Sequence, residues 1–342
     1  MADYHSLVEA LERSLGRAPI SLWGVAPIAP IHLGYDRLIV HQRALRNAGA
    51  HHIILLADLH AVLTRGLSFG DVARRSFYYE QYLARCCDLR VTYIRGSEFQ
   101  TGTEYVDKLY ALMNTARVSW IHEALPPALR DSGAAKFVFP MAYLLMQCLD
   151  AVHLQADLVL ADRAQSKVYG LWRRLEPALP PNTSRAEVIG THVPSRRARG
   201  WQPLLPRFEY VPLTHDIRGL PLNASTRETR ISIHDDDETI DRKVRMMYAP
   251  PGEDLAEGKG NALLEHFEWS VFPWRAGPIA VERRGAETLE FDAYEDFERA
   301  YRLGEVHPGD CKPALFECVR DRVHTIRDQL AMAVTSWVDD RN

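Results

Sequence analysis

The sequence predicts an α/β protein: a doubly wound parallel sheet followed by a mainly helical C-terminal domain. Three observations carry that prediction. Short apolar runs alternate with segments of helical period over the first two-thirds of the chain. One of these runs, Ile53-Ile54-Leu55-Leu56-Ala57, is apolar throughout, as a strand covered on both faces must be. After Asp235 the strand-like runs stop and helical spacing takes over. Strands separated by helices pair in parallel, and ligands of such sheets bind at the carboxyl ends of the strands.

In order, residues 20–25 read as the first strand. Tyr35, Leu38, Ile39, Leu45 and Ala48 then recur at helical spacing, and Gly49 can end that helix. Residues 53–57 form the second strand, 71–87 a helix and 90–94 a third strand. Long helical segments cover roughly 104–125 and 139–154, and strands are expected at 158–161 and 209–213. This alternation is Rossmann-like. Residues 177–206 break it with six prolines and the basic run Arg196-Arg197-Ala198-Arg199. They read as a solvated surface insertion, with an RNA-contacting arm as the lesser alternative. Residues 221–235 are polar and aperiodic, as in a mobile loop. Helices follow at 238–248, 260–270, 292–302 and 308–335. The expected domains are therefore 1–240, carrying a helical insertion at about 104–140 and the Pro/Arg-rich insertion at about 177–206, and 241–342.

A chain of 342 residues is long enough for a substantial core without staples. With 46% hydrophobic and 25% charged residues it is neither fibrous nor wholly disordered. The net charge of −4 supplies no global basic field for nucleic acid. Only six of the 41 basic residues are Lys, which reads as base composition of the coding DNA rather than as function. The five cysteines (86, 87, 148, 311 and 318) show no CxxC and no zinc-like spacing, so no metal site is expected and the thiols read as reduced, cytosolic ones. The N-terminus has neither the basic nor the apolar region of a secretory signal, and the most apolar stretch, 137–149, is too short to cross a bilayer. A cytoplasmic protein without a membrane partner is expected.

Two constellations carry chemistry. Ala29-Pro30-Ile31-His32-Leu33-Gly34 joins the first strand to the first helix. Gly34 permits close backbone approach, the helix amides favour an anion, and His32 can donate to a phosphate or serve only the turn. Tyr143, Gln147 and Asp150 fall at i, i+4 and i+7 of an otherwise apolar helix, so they share one face. Buried polar groups need hydrogen-bond partners. A polar ligand such as an amino acid and an internal network satisfy that need about equally well.

Taken in order, these motifs resemble the archaeal and eukaryotic type of tyrosyl-tRNA synthetase, a class I aminoacyl-tRNA synthetase, over about residues 20–330. Ile31-His32-Leu33-Gly34 is similar to the HIGH motif. Asn47-Ala48-Gly49 and the run from Ile53 to Ala61 are similar to the family's second strand and its exit, and Gly96-Ser97-Glu98-Phe99-Gln100 to a segment closing the amino-acid pocket. The resemblance implies that Tyr143, Gln147 and Gln165 surround the substrate α-amino group. Asp150 would reach the phenol, with His60 lining the side-chain pocket and Leu22, Gly24, Leu55, Phe99 and Gln100 completing it. Tyr248-Ala249-Pro250-Pro251-Gly252 resembles the junction into the anticodon-binding domain, and His307-Pro308-Gly309-Asp310 its anticodon-reading turn. This implies tRNA contacts by His307, Pro308 and Asp310.

Departures from the family pattern cluster at the nucleotide end. Tyr35 stands where the HIGH motif has its second His. The KMSKS loop reads Leu222-Asn223-Ala224-Ser225-Thr226 followed by Arg227, without its first lysine. The Gly-Gly that lets adenosine approach is Ala161-Asp162, where the carboxylate would repel phosphate or bond the ribose. The ribose-binding acid aligns with Arg163 or Ala164, and a Tyr that bonds the substrate hydroxyl aligns with Leu22. Charge stabilisation is a large term in phosphoryl chemistry. The resemblance therefore implies His32, Gly34, Tyr35 and Arg227 as catalytic positions, and ATP with magnesium as a weakly held cofactor. The expected protein is a homodimeric paralogue that joins an aromatic or related amino acid to an acceptor in a specialised, non-translational role. The donor is either an adenylate or a charged tRNA. The alternatives are an inactive pseudo-synthetase that binds an amino acid or tRNA, and a working tyrosine–tRNA ligase.

Overall fold

The computed structural model describes residues 3–125, 137–175, 207–212, 214–222, 226–252 and 255–330. The chain divides into two compact units. One is drawn mainly from residues up to 28 and 41–212, the other from 29–40 and 213–335.

The first unit holds a five-stranded sheet of order β3-β2-β1-β4-β5: β1 Ile20–Val25, β2 His51–Leu56, β3 Thr92–Arg95, β4 Leu158–Asp162 and β5 Arg207–Val211. Every pairing is parallel, with Leu22 opposite both Ile53 and Val159, and Gly24 opposite Leu55. Both faces are covered: β1 and β2 are buried almost end to end, as the continuous apolar run requires. The strand order reverses between β1 and β4, which makes their carboxyl ends the topological switch point of the sheet.

Helices fill the crossovers. In chain order these are α1 Tyr4–Leu15, α2 Asp36–Asn47, α3 Asp58–Arg65, α4 Phe69–Gln81, α5 Thr103–Thr115, α6 Val118–Ala124, α7 Phe139–His153 and α8 Ser166–Leu175. Alternate residues of β1, β2 and β4 (Leu22, Ile53, Leu55, Val159) pack with Ala151 of α7, Leu154 at its C-cap and Tyr169 of α8. The other side of α7 (Leu144, Leu145, Cys148, Leu149) packs with Tyr105 and Leu112 of α5 and Ile121 of α6. The apolar helix expected at 139–154 is thus buried on two sides, which explains its near-continuous hydrophobicity. The long segment expected at 104–125 is two helices, interrupted at extended Ala116 and Arg117.

The second unit is mainly helical: α9 Asp237–Arg245, α10 Ala262–Glu265 running on through a π turn to Val271, α11 Tyr294–Arg302 and α12 Pro308–Leu330. A short antiparallel hairpin, β6 Ile279–Val281 with β7 Leu289–Phe291, lies among them. Phe267, Phe291 and Phe297 form its aromatic centre, with ring centroids 4.3 and 5.4 Å apart.

The mobile loop expected at 221–235 is corrected over its described second half. Ile231 and Ile233 are 1% and 0% exposed. Buried Lys243 of α9 donates to the carbonyls of Arg227 (2.9 Å) and Arg230 (2.7 Å) and to Asp235 Oδ2 (2.6 Å). Three acceptors for one ammonium fix a segment that has no periodicity of its own. The insertion at 177–206, with its basic run, and residues 126–136 and 223–225 lie outside the described residues.

Candidate active site

The expected substrate residues gather in the first unit around the carboxyl half of the sheet. Leu22 and Leu55 are buried in one cluster on the same face, two register positions apart, and Phe99 packs against it. Gly24 is exposed, and a Cβ built there meets nothing within 4 Å, so β1 presents open space just before its carboxyl end.

At one end stands Asp150, 3% exposed on α7. Its Oδ1 accepts from Gln100 Nε2 at 2.7 Å and from the Tyr105 hydroxyl at 2.6 Å, and its Oδ2 lies 3.2 Å from His60 Nε2. Burial, followed by the Asp150 charge, pushes the Tyr105 phenol well above its ordinary pKa, so Tyr105 stays a donor. Gln100 reaches this position because Asp58 holds the preceding turn: the Ser97 N–H and hydroxyl donate to its carboxylate at 2.8 and 2.5 Å. Gly96 is required there, since a side chain would overlap Gln100. His60 in turn meets the Tyr143 ring edge-on at 5.0 Å.

At the other end, Gln147 Nε2 donates to Gln165 Oε1 at 3.0 Å. The Tyr143 phenol is raised to about 12, by burial first and then by the Asp162 and Asp150 carboxylates. Asp162 closes β4, and burial pushes its carboxyl up, opposed by the neighbouring Ala164 and Gln165 backbone amides. The stripe on α7 therefore divides. Asp150 sits in an internal network, whereas Gln147 keeps a buried Oε1 with no hydrogen-bond partner.

The remaining expected residues lie in the second unit. His32 is 5% exposed, stacks on Tyr35 with centroids 4.5 Å apart, and pairs through its backbone with Ser232. Burial, helped by the nearby Arg230 charge, lowers its pKa to about 3, so its ring is neutral at pH 7. A Cβ built on Gly34 would overlap the Leu222 side chain. The close approach that Gly34 allows is thus taken by Leu222, and the Thr214 hydroxyl bonds the Gly34 carbonyl at 3.3 Å. Arg227 is exposed on a single 3-10 turn. His307 and Asp310 flank the start of α12, where His307 Nδ1 accepts the Gly309 N–H at 3.0 Å; Pro308 is buried.

The structure adds partners that residue spacing does not reveal. Tyr105 supports Asp150 from 45 residues away. Asp36, 0% exposed at the start of α2, is held by Arg322 of α12 through two bonds of 2.5 and 2.7 Å. Among the described residues no three His, Cys, Asp or Glu side chains converge as a metal site. No helix among them is long and apolar enough to cross a membrane.

A tyrosine–tRNA ligase of Haloarcula marismortui is 27% identical over 325 residues, covering 92% of this chain and 86% of its own. That of Archaeoglobus fulgidus is 27% identical over 338 residues, covering 97% and 94%. The crystal structure of the A. fulgidus tyrosyl-tRNA synthetase complexed with L-tyrosine superposes with a TM-score of 0.74 at 26% identity, covering 94% of this chain and 93% of that one. The Pyrococcus horikoshii tyrosyl-tRNA synthetase, with a TM-score of 0.76 at 17% identity, shares the fold. The family model of class I tRNA synthetases (W and Y) matches residues 14–324, and the chain belongs to that family.

Proposed function

We propose that the protein is a tyrosyl-tRNA synthetase-like enzyme that binds a free α-amino acid, aromatic or related, and activates or transfers its acyl group in a specialised, non-translational role. The first unit supplies the amino-acid pocket: Gln147, Gln165 and Tyr143 toward the amino group, Leu22, Leu55 and Phe99 along the side chain, and the Asp150–His60–Gln100 network at its far end. The division into a catalytic domain over 1–240 and an anticodon-binding-like domain over 241–342, the homodimer, and tRNA contacts at His307, Pro308 and Asp310 belong to the same reading. The observation that carries it is Leu222 seated on Gly34. An apolar side chain packed on the glycine of the HIGH-like turn, in the loop position where the family has a lysine, supports a weakened nucleotide site, and the bond between Gln147 and Gln165 supports a retained amino-group end.

Amino-acid-dependent ATP–pyrophosphate exchange tests this. The unmodified protein should exchange far below the 1–10³ s⁻¹ typical of enzymes, on the order of a hundredfold for the lost cation alone. Leu222→Lys should raise exchange more than it raises amino-acid affinity, because the missing charge acts in the transition state. Exchange and tRNA charging at ordinary enzyme rates would establish a working tyrosine–tRNA ligase instead, the activity named for the relatives above. Amino-acid binding with neither exchange nor transfer from charged tRNA would establish a pseudo-synthetase.

A further inference from the structure

We infer that the Asp162 carboxylate is the counter-ion of the substrate's α-ammonium group. The inference rests on the amino-acid-binding reading above and adds a residue to it. Asp162 is the last residue of β4, at the carboxyl end of a strand that flanks the switch point. Its Oδ1 is buried and without a hydrogen-bond partner, and so is Gln147 Oε1. The two are linked through one side chain: Gln147 Nε2 donates to Gln165 Oε1 at 3.0 Å, and the Gln165 amide lies against Asp162. Among the described residues no Lys, Arg or His forms an ion pair with Asp162.

The unused valences at this end of the pocket are therefore acceptors, and one of them carries a charge. A substrate group that satisfies both must be a donor and a cation. A primary ammonium has three N–H donors and no acceptor. A phosphate brought to the same place would meet lone pairs and a like charge, and a neutral hydroxyl would leave the carboxylate uncompensated. The half-buried carboxylate is held by neutral donors alone, the Ala164 and Gln165 amides, and a cation bound there would supply the missing counter-charge. Glycine at this position would supply neither charge nor acceptor. The substitution that removes a cradle for adenosine thus installs a determinant for a free amino terminus.

The experiment is calorimetric titration of the full chain, unmodified and Asp162→Asn, with L-tyrosine, with tyramine, and with 3-(4-hydroxyphenyl)propionate, which lacks the ammonium. Asn keeps the shape and loses the charge. A charge-assisted bond predicts that L-tyrosine and tyramine each bind about 10- to 100-fold more weakly to the variant. The propionate should keep or gain affinity, and the variant's melting temperature should equal or exceed the original. Unchanged affinity for the two amines, or an equal loss for all three ligands, would overturn the role of Asp162 while leaving the amino-acid pocket standing. Failure of the unmodified protein to bind L-tyrosine at all would overturn the pocket itself and this inference with it.

Discussion

Gln165 accepts from Gln147 Nε2 at 3.0 Å and sets its amide against Asp162, so it links the two. Removing its amide should therefore act on ligand binding more than on the fold, which takes little from a half-buried side chain on a 3-10 turn. Gln165→Ala is expected to weaken amino-acid binding by about 1–3 kcal/mol, the range for a hydrogen bond to a charged group. Calorimetry with L-tyrosine checks it, and unchanged affinity removes Gln165 from the site. At this scale the sequence is legible where periodicity reaches. The spacing of 143, 147 and 150 places three polar groups on one helical face, and α7 puts them there. Spacing says nothing of what faces them. Tyr105 and Gln100 come from other segments, and only the tertiary fold shows that Asp150 is already partnered while Gln147 Oε1 is left without a donor.

Among the elements, α2 and α12 are tied by the bond pair between Asp36 and Arg322. Both groups are deeply buried, with side chains 0% and 9% exposed. Arg322 also donates to the Ser270 carbonyl at 2.7 Å and lies 4.1 Å over the Trp274 ring. Arg322→Ala leaves the Asp36 carboxylate buried without its cation and is expected to cost about 3–5 kcal/mol, because desolvation is no longer offset. Urea denaturation of the two proteins measures the difference; a loss below about 1 kcal/mol would show that water or another group takes the place of Arg322. The pair joins positions 286 residues apart, so no local pattern announces it. The same holds for the segment from Arg227 to Asp235. It reads as a loop because it lacks periodicity, yet Lys243 fixes it from a helix beyond. The central strands of the sheet are legible for the opposite reason: burial on both faces writes itself into consecutive apolar residues. The hairpin of β6 and β7 has only three residues per strand, too few for an alternating pattern to stand out.

Across the whole molecule, proton uptake should set the acid limit of stability. His32, His52 and His266 are buried in their neutral form, burial being the leading cause for each, and their pKa values fall to about 3, about 3 and about 4. Unfolding returns each to the ordinary imidazole value near 6.5. A depressed folded pKa means that the unfolded chain binds the extra proton, so the associated stability is present above about pH 6.5 and is lost as pH falls toward the folded values. Near pH 5 these three rings together differ by nearly three protons, a slope of about 4 kcal/mol per pH unit from them alone. His215 has the opposite sign. The Glu265 carboxylate, 2.6 Å from its Nδ1, raises its pKa, so its contribution is complete below 6.5 and is lost as pH rises through the raised value. At pH 5 His215 is protonated in both states and drops out of the slope. Glu268, raised to about 7 chiefly by burial, takes up its proton in the folded protein first and offsets part of that slope. Thermal denaturation between pH 7.5 and 5 should therefore show a falling melting temperature that His52→Gln partly flattens. That variant leaves Ser21, which bonds His52 Nδ1 at 2.7 Å, with an amide partner. A melting temperature constant over that interval would mean that the three rings take up protons while folded, and that His32 carries a charge where the geometry gives it none.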